Sequence, residues 1–206
     1  HNILKEYELL DKTPKNILNH IKKGIKGEIK ETPKELTNCD NYIIGDNSLV
    51  LNTMKEKAEE FGFKPHIITQ RQTGNTETIA KKRAKEIIEG KYTSYNALII
   101  GGETTPKLPE NHGEGGRNQH YAAVSMLEMK NYPGKWVLVS IDSDGIDFIK
   151  ETAGAIVDND SLNKAENIKP YLDNYDSYNL LKNIGNSLIK TGPSGTNVSD
   201  VMLYLI

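Results

Sequence analysis

The chain has 206 residues, 36% of them apolar and 26% charged, and its 26 basic and 28 acidic side chains leave a formal charge of −2. This composition predicts a soluble globular protein of one large or two small domains. It argues against a nucleic-acid partner, because the lysines are dispersed among acidic residues, and against a membrane span, because no apolar run approaches the ~20 residues that a bilayer requires.

Cysteine use and the first residues indicate the setting of the protein. Cys39 is the only cysteine, so no intrachain disulfide can form, and we expect a reducing, cytoplasmic environment. The sequence starts at His1 without a basic or apolar leader segment, so it does not resemble a signal peptide. We therefore expect a piece of a longer protein or a processed chain.

The first half of the chain predicts helices and strands in alternation. Apolar residues recur at helical spacing in three stretches, and short apolar runs bounded by turn residues lie between them. The predicted elements are helices at 13–24, 50–61 and 76–89 and strands at 41–45, 66–69 and 97–100. Successive strand–helix–strand units predict an α/β fold with layered, mostly parallel sheets and helices on both faces.

The composition of the chain changes after residue 96, where glycines become frequent, and we therefore expect the domain boundary at that position. Five glycines fall within residues 101–116 and predict a long loop or an irregular hairpin. The elements predicted after it are a helix at 118–128, a buried strand at 136–141, helical segments at 151–158, 161–166 and 177–184, a small-residue loop at 191–199 and a strand at 201–206.

The glycine-rich segment 113–119 is the first candidate for chemistry. Glycines there free the backbone just before a predicted helix, so amide groups and the helix N-terminus could face an anion. Only three of the 26 basic residues are arginines, and a planar guanidinium grips a carboxylate or phosphate through two parallel hydrogen bonds. The segment therefore predicts either an anion site built on Arg117 or a mobile surface loop with a solvated arginine.

An acidic segment follows the buried strand at 136–141. Its aspartates would lie at the carboxyl end of that strand, where open α/β sheets bind ligands, and their oxygens suit Mg²⁺. The spacing excludes an EF-hand, because Gly145 comes two positions too early. We favour a functional role for Asp144 over one for Asp142, and the alternative is an acidic turn that caps the next helix.

Two further loops offer polar groups. Glu103 and Thr104 follow two glycines that permit close approach of a ligand, although a simple strand-end turn fits equally well. The loop 191–197 offers hydroxyls and amides to an anion, or is only a loop. No Walker-type phosphate loop occurs, and the segment 113–118 fails the dinucleotide pattern G-x-G-x-x-G, because Asn118 occupies its last position.

Six short motifs, in the same order along residues 97–206, resemble the MOFRL domain of class II glycerate 2-kinases. They are GGETT at 101–105, GGRNQ at 115–119, SDGID at 143–147, AGAIVD at 153–158, NYDSY at 174–178 and TGPSGTNV at 191–198. Residues 1–96, with ETPK at 31–34 and IGDN at 44–47, look like the closing portion of the same family's larger N-terminal α/β domain. The resemblance implies an MOFRL-type C-terminal domain at 97–206 and a missing N-terminal domain as its partner.

The resemblance implies transfer of the γ-phosphoryl group of ATP to the 2-hydroxyl of D-glycerate, with Mg²⁺, in a cleft between two domains. It implies that Arg117 holds the glycerate carboxylate or the transferring phosphoryl group. It also implies that Asp144 is a catalytic residue and metal ligand that acts near Mg²⁺ or the hydroxyl. The substrate-binding residues that it implies are Glu103, Thr104, Asn118, Gln119, Thr191, Gly192, Ser194, Thr196 and Asn197.

The sequence departs from the family at two points. Asp142 and Phe148 stand where the family has glycines flanking the acidic motif, and the catalytic lysine of the family's N-terminal domain has no counterpart in the chain. We therefore expect the 206-residue chain alone to be inactive. Two other functions stay open: a hydroxypyruvate reductase, a label that members of this family carry, and a non-catalytic anion-binding module.

Overall fold

The computed structural model describes residues 1–149 and 151–206, and these divide into two units, His1–Tyr42 and Ile43–Ile206. The helices of the first unit are α1 (Asn2–Glu6) and α2 (Lys15–Ile25). The second of them confirms the helix predicted at 13–24. Neither helix has a buried side chain.

The strand predicted at 41–45 is wrong. No regular element occurs there, and the side chains of Ile43 and Ile44 are 87% and 95% exposed. A short apolar run becomes a strand only when a neighbouring strand accepts its backbone hydrogen bonds. The chain instead starts a helix, because the Asp46 carboxylate accepts a hydrogen bond from the Leu49 amide at 2.8 Å and caps it.

The second unit alternates helices and strands. Its elements are α3 (Asn47–Glu60), β1 (Pro65–Gln72), α4 (Thr76–Ile88), β2 (Ala97–Gly102), α5 (Arg117–Glu128), a 3₁₀ turn (Met129–Asn131), β3 (Val137–Asp142), β4 (Gly154–Asp158), α6 (Asn159–Lys164), α7 (Ile168–Asp173), α8 (Ser177–Ile184), β5 (Leu188–Ile189) and β6 (Asp200–Leu205). Within the described ranges, no helix is both long and apolar enough to cross a bilayer.

The six strands form one mixed sheet in the order β1–β2–β6–β3–β4–β5. Among the described strands only β1 and β2 run parallel, and the other neighbouring pairs are antiparallel. The α/β class is confirmed, and the expectation of mostly parallel sheets is corrected. The difference arises at the end of the chain, because β6 inserts between β2 and β3 and runs against both, a placement that no local pattern encodes.

Helices cover both faces of the sheet. On one face α5 lies between α4 and α8 and packs against β3 and β4, with Leu98 and Ile100 in the same large core cluster. On the other face α3 lies against β1 and β2, and Leu51 packs against Ile99 and Val201. The alternation of Leu98, Ile99 and Ile100 between two clusters follows from the two-residue period of a strand.

The helix predicted at 151–158 is also wrong, because the structure has strand β4 there. Ile156 and Val157 are β-branched, which favours an extended backbone, and they pair in register with β3. Gly154 allows this pairing, since its φ is +155° and an added Cβ would lie 2.0 Å from the Ser140 carbonyl oxygen. The helices predicted at 161–166 and 177–184 are confirmed as α6 and α8.

Position 96 lies between α4 and β2, inside the second unit. The strands on either side of it, β1 and β2, are hydrogen-bonded neighbours in the sheet. The division of the chain into 1–96 and 97–206 stays a prediction.

Candidate active site

Three strand termini meet at one edge of the sheet. β2 ends at Gly102, β3 ends at Asp142 and β6 begins at Asp200. Because β6 runs against both neighbours, its first residue lies beside their last residues, and Asp142 is the register partner of Asp200. Helix α5 begins here with Arg117. We call Arg117, Asp142 and Asp200 the Arg117 cluster.

The guanidinium of the Arg117 cluster is held by two carboxylates. Nε of Arg117 donates to Oδ2 of Asp200 at 2.7 Å, and Nη2 donates to Oδ1 of Asp200 at 2.8 Å and to Oδ2 of Asp142 at 2.6 Å. The Glu103 carboxylate lies farther off, 3.7 Å from Nη2. In the part of the chain that the structure describes, Nη1 donates no hydrogen bond. Nη1 is also not among the buried polar atoms that lack a partner. The fork thus grips Asp200 and leaves one nitrogen, with two N–H groups, for a ligand.

Burial decides the charges of this cluster. It raises the pKa of Asp200 to about 6, although the Arg117 guanidinium pulls in the other direction. It also raises the pKa of Asp142. When both carboxyls are ionised, two carboxylates face one guanidinium, so Arg117 is held rigidly in a cluster of net negative charge. The two N–H groups on Nη1 of Arg117 are thus fixed in direction, and little reorganisation is needed when they bind a ligand. The surrounding negative charge means that the cluster attracts a free anion only weakly.

The N-terminus of α5, where an anion was expected, is filled by the Asp147 carboxylate. Asp147 accepts from the backbone amides of Asn118 at 3.0 Å and Gln119 at 2.9 Å. The side-chain amides of the same two residues also donate to it, at 3.4 and 3.1 Å. Gly116 permits this approach, because an added Cβ would lie 2.0 Å from the Asp147 carbonyl oxygen.

Two of the predicted substrate-binding residues are therefore committed to the fold. Asn118 is 1% exposed and also accepts a hydrogen bond from the Ser140 hydroxyl at 2.6 Å, and Gln119 is fully buried. Thr104 is similarly buried, and its hydroxyl bonds that of Thr76 at 3.0 Å. Glu103 differs, since about half of its side chain is exposed.

Asp144 joins the acidic segment to the loop 191–197. Its Oδ2 accepts from the Asn197 side chain at 3.1 Å, and its carbonyl accepts from the Ser194 amide at 2.9 Å. Thr196 lines the same open groove of about 360 Å³ beside Asp144 and Asn197. In this loop the Thr191 hydroxyl bonds the Gly192 carbonyl at 2.8 Å.

Arg117 and Asp144 meet through Asp142. One oxygen of Asp142 binds Nη2 of Arg117, and the other accepts from the Asp144 amide at 3.2 Å. Arg117 and Asp144, the two residues predicted to be catalytic, thus both donate hydrogen bonds to the Asp142 carboxylate at one edge of the sheet. Asp200 was missed, although it follows a polar loop and precedes a strand, because its neighbours depend on the strand order.

The donor set does not fit a resident metal ion. Among the residues that the structure describes, no three histidine, cysteine or acidic side chains are grouped to hold one. Asp144 offers a single carboxylate, whose Oδ1 already accepts from the Ile146 amide at 2.8 Å. Mg²⁺ in phosphoryl-transfer sites takes one or two carboxylates and completes its shell with substrate phosphates and water. The groove therefore offers one carboxylate to a cation that brings its other ligands with it.

The chain is similar to known proteins in sequence and in fold. A sequence profile described as the MOFRL family matches residues 96–200. The glycerate 2-kinase of Pyrococcus horikoshii is 32% identical over 99% of this chain and 48% of its own length. The crystal structure of glycerate kinase from Thermotoga maritima aligns with a TM-score of 0.80, at 33% identity over the whole of this chain and 49% of its own.

A third relative carries another name. A putative hydroxypyruvate reductase of Agrobacterium vitis is 40% identical over 53% of this chain and 29% of its own length. The chain spans about half the length of the curated relatives that match most of it.

Proposed function

Because the chain belongs to the MOFRL family, we propose that it forms one wall of the active site of a glycerate 2-kinase. This kinase would transfer the γ-phosphoryl group of ATP to the 2-hydroxyl of D-glycerate and give 2-phosphoglycerate. The observation that carries the proposal is the Arg117 cluster, a guanidinium fixed by two buried carboxylates with Nη1 left over. Phosphoryl transfer needs such a fixed cationic donor, because charge spreads over the equatorial oxygens in the transition state.

Arg117 has the central role in this proposal. Two N–H groups on Nη1 would donate to the transferring phosphoryl group or to the glycerate carboxylate. The grip of Asp200 on Nε and Nη2 would keep Nη1 in place during the transfer, so Asp142 and Asp200 act as positioning residues. Asn118 and Gln119 support the same geometry indirectly, since they tie the first turn of α5 to Asp147.

The groove at Asp144 would accept the rest of the magnesium–nucleotide phosphates. Its carboxylate would be a single protein ligand to Mg²⁺, and Thr191, Gly192, Ser194, Thr196 and Asn197 lie in the loop beside it. Glu103 would face the glycerate hydroxyls, since it is half exposed and borders the cluster. Thr104 would act only by holding that turn against α4.

The remaining machinery would come from an N-terminal portion of the same protein. The curated relatives are about twice as long as this chain, and the lysine that the family resemblance calls for is not in it. Residues 97–206 would be the MOFRL domain and residues 1–96 the closing part of the N-terminal domain. The single cysteine supports a cytoplasmic setting.

The proposal is tested by assaying two proteins with ATP, Mg²⁺ and D-glycerate: the 206-residue chain and the chain joined to the N-terminal half of a family member. We expect ADP and 2-phosphoglycerate in equal amounts from the joined protein and none from the chain alone. Turnover by the chain alone would disprove the division of the site, and no turnover by the joined protein would disprove the activity.

A hydroxypyruvate reductase is the second candidate, favoured by the name of the Agrobacterium vitis relative. Its cofactor would need a dinucleotide site, but the glycine segment before α5 ends in Asn118, and Asp147 occupies the helix N-terminus. We therefore expect no loss of NADH absorbance when hydroxypyruvate is added to the joined protein. Steady NADH oxidation that depends on hydroxypyruvate would favour the reductase. Binding of a metabolite anion by the chain alone, without turnover by either protein, would favour a non-catalytic module.

A further inference from the structure

A recess of about 210 Å³ lies beside the first turn of α5, and of its lining residues only Arg117 has a direct role in the proposed phosphoryl transfer. Pro106, Leu108 and Phe148 supply apolar and aromatic wall. The ring of His120 stacks on Tyr175, with the ring centroids 4.5 Å apart and the planes 16° from parallel. The recess therefore offers flat apolar surfaces of the kind on which a heteroaromatic ring packs.

Three buried polar atoms on this recess have no partner. His120 is 2% exposed and Ser177 is fully buried, and both line the recess. Neither ring nitrogen of His120 nor the Ser177 hydroxyl makes a hydrogen bond within the described residues. Buried polar atoms in native proteins are nearly always hydrogen-bonded. Three orphaned atoms on one recess indicate a ligand with its own donors and acceptors.

The charges around the recess define that ligand further. Burial lowers the pKa of His120 to about 4, so the imidazole is neutral at pH 7 and offers one donor and one acceptor. The Asp147 carboxylate accepts four N–H groups, and the Arg117 fork is bound to Asp142 and Asp200. Nη1 of Arg117 is left for an ionic group at its end of the lining, whereas His120 and Ser177 offer neutral polar atoms, so the part of the ligand that lies against them is uncharged.

We propose that the recess binds the purine base of the nucleotide, a step that rests on the proposed kinase function. A purine is flat and uncharged, and its edge carries donors and acceptors side by side, which matches a neutral imidazole beside a hydroxyl. The recess is smaller than the ~300–1,000 Å³ of sites that enclose drug-sized ligands, so it holds the base and leaves the sugar and phosphates outside. Arg117 also lines the recess, which brings the phosphates of a bound nucleotide toward the Arg117 cluster.

The direct test is an NMR titration of the 206-residue chain with adenosine, which carries the base without the phosphates. We expect the ring-nitrogen signals of His120 to shift as adenosine binds. His120→Phe keeps the stack on Tyr175 and removes both nitrogens, so it should weaken adenosine binding about 10-fold. His66→Phe is the matched control, because His66 stacks on Tyr95 at the same 4.5 Å, with planes 19° from parallel, outside the recess.

A second variant guards against misfolding. Ser177→Ala removes an orphaned hydroxyl, so it should leave the fold intact and weaken adenosine binding several-fold. If adenosine does not bind the wild-type chain, or if both variants bind it as well as wild type does, the recess is not a base site.

The joined protein separates this proposal from the kinase proposal. We expect His120→Phe to raise the KM for ATP about 10-fold and to leave kcat nearly unchanged, because it removes binding that is equal in ground and transition states. If adenosine binds at His120 but no glycerate is phosphorylated, the base site stands and the kinase fails. If glycerate is phosphorylated but His120→Phe leaves the KM for ATP unchanged, the kinase stands and the base site fails.

Discussion

Two polar clusters lie at the N-terminal end of α5, and they are built in opposite ways. Around Arg117 the polar groups pair with one another: Nε and Nη2 bind two carboxylates that are 0% and 5% exposed. Around His120, one helical turn later, three buried polar atoms have no partner within the described residues. The paired cluster is held in place without a ligand and keeps only Nη1 of Arg117 for one, whereas the three unpaired atoms gain hydrogen bonds only when a ligand binds.

This contrast separates the two kinds of work that a site does. A paired cluster is rigid, so it suits the placement of one donor on a reacting group. In the recess, buried polar atoms without hydrogen bonds raise the free energy of the folded chain. A ligand that bonds to them removes this penalty, so the recess suits ligand recognition. The largest effects of substitution should therefore come from the paired side, where removal of one partner leaves others buried and unbonded.

Among the hydrogen-bonded groups at the start of α5, Asp147 should cause the largest loss of stability when it is replaced by alanine. Asp147→Ala removes the carboxylate that accepts both amides of the first turn of α5 and two side-chain amides. We expect the free energy of unfolding of the chain, measured by urea denaturation, to fall by about 3 kcal/mol, because buried donors lose their acceptor.

The matched control is Asp158→Ala, which removes a more exposed carboxylate that caps α6 through Ser161. That loss should be about 1 kcal/mol, as for an ordinary N-cap. Equal losses for the two variants would contradict the view that Asp147 is an internal anchor of α5.

Arg117→Lys should come next and should act on catalysis. A lysine has one nitrogen, so it cannot grip Asp200 through two bonds and still present a second nitrogen to the substrate. We expect kcat of the joined protein for glycerate phosphorylation to fall about 10-fold or more, a change of ~1.4 kcal/mol per decade.

Arg83→Lys is the control, because Arg83 pairs with Glu86 on α4 and contacts no member of the Arg117 cluster. It should leave kcat unchanged. An unchanged kcat for Arg117→Lys as well would remove Arg117 from the reaction.

The sequence predicted the paired cluster only in part, and the reason is physical. The sequence singled out Arg117 through the rarity of arginine and Asp144, which lies next to the cluster, through its place after a buried strand, since both signals are local. Asp200 and the role of Asp147 depend on which strands become neighbours, and β6 reaches its place between β2 and β3 only in the folded chain. The strand wrongly predicted at 41–45 and the helix wrongly predicted at 151–158 have the same origin, because pairing partners decide between extended and helical backbone.

The unpaired recess could not be predicted from sequence. His120 lies within a helical apolar pattern, where a histidine is usually packed or solvated, and Ser177 is 57 positions away in the NYDSY motif. Their shared signal is the absence of a hydrogen-bond partner, which is a property of the packed structure and not of residue type.

The pH dependence of the free energy of unfolding tests the ionisation of Asp200 in the Arg117 cluster. Burial raises the pKa of Asp200 to about 6, above the ~3.9 of an unfolded aspartate. Between these values the folded chain binds more protons, so the stability that this carboxyl contributes is full below about pH 4 and is lost as the pH rises through about 6. Relative to wild type, Asp200→Asn should therefore become more stable between pH 4 and pH 7 in urea titrations.

Glu86→Gln should behave in the opposite way. Burial raises the pKa of Glu86, but hydrogen bonds from Lys91, Arg83 and Tyr92 outweigh it and lower the pKa to about 2. Its contribution is present above the ~4.3 of an unfolded glutamate and is lost as the pH falls through about 2. The two variants should diverge from wild type in different pH windows, and a common window would show that the Asp200 carboxyl is not the titrating group.

Glu103→Gln should have the smallest effect, because Glu103 belongs to neither side of the contrast. Its carboxylate lies 3.7 Å from Nη2 of Arg117 and about half of its side chain is exposed, so solvent screens the ion pair. We expect the free energy of unfolding to change by less than about 0.5 kcal/mol, whereas KM for D-glycerate in the joined protein should rise if Glu103 faces the substrate. A large loss of stability would mean that Glu103 is a third member of the clamp on Arg117, and the guanidinium would then be held by three carboxylates instead of two.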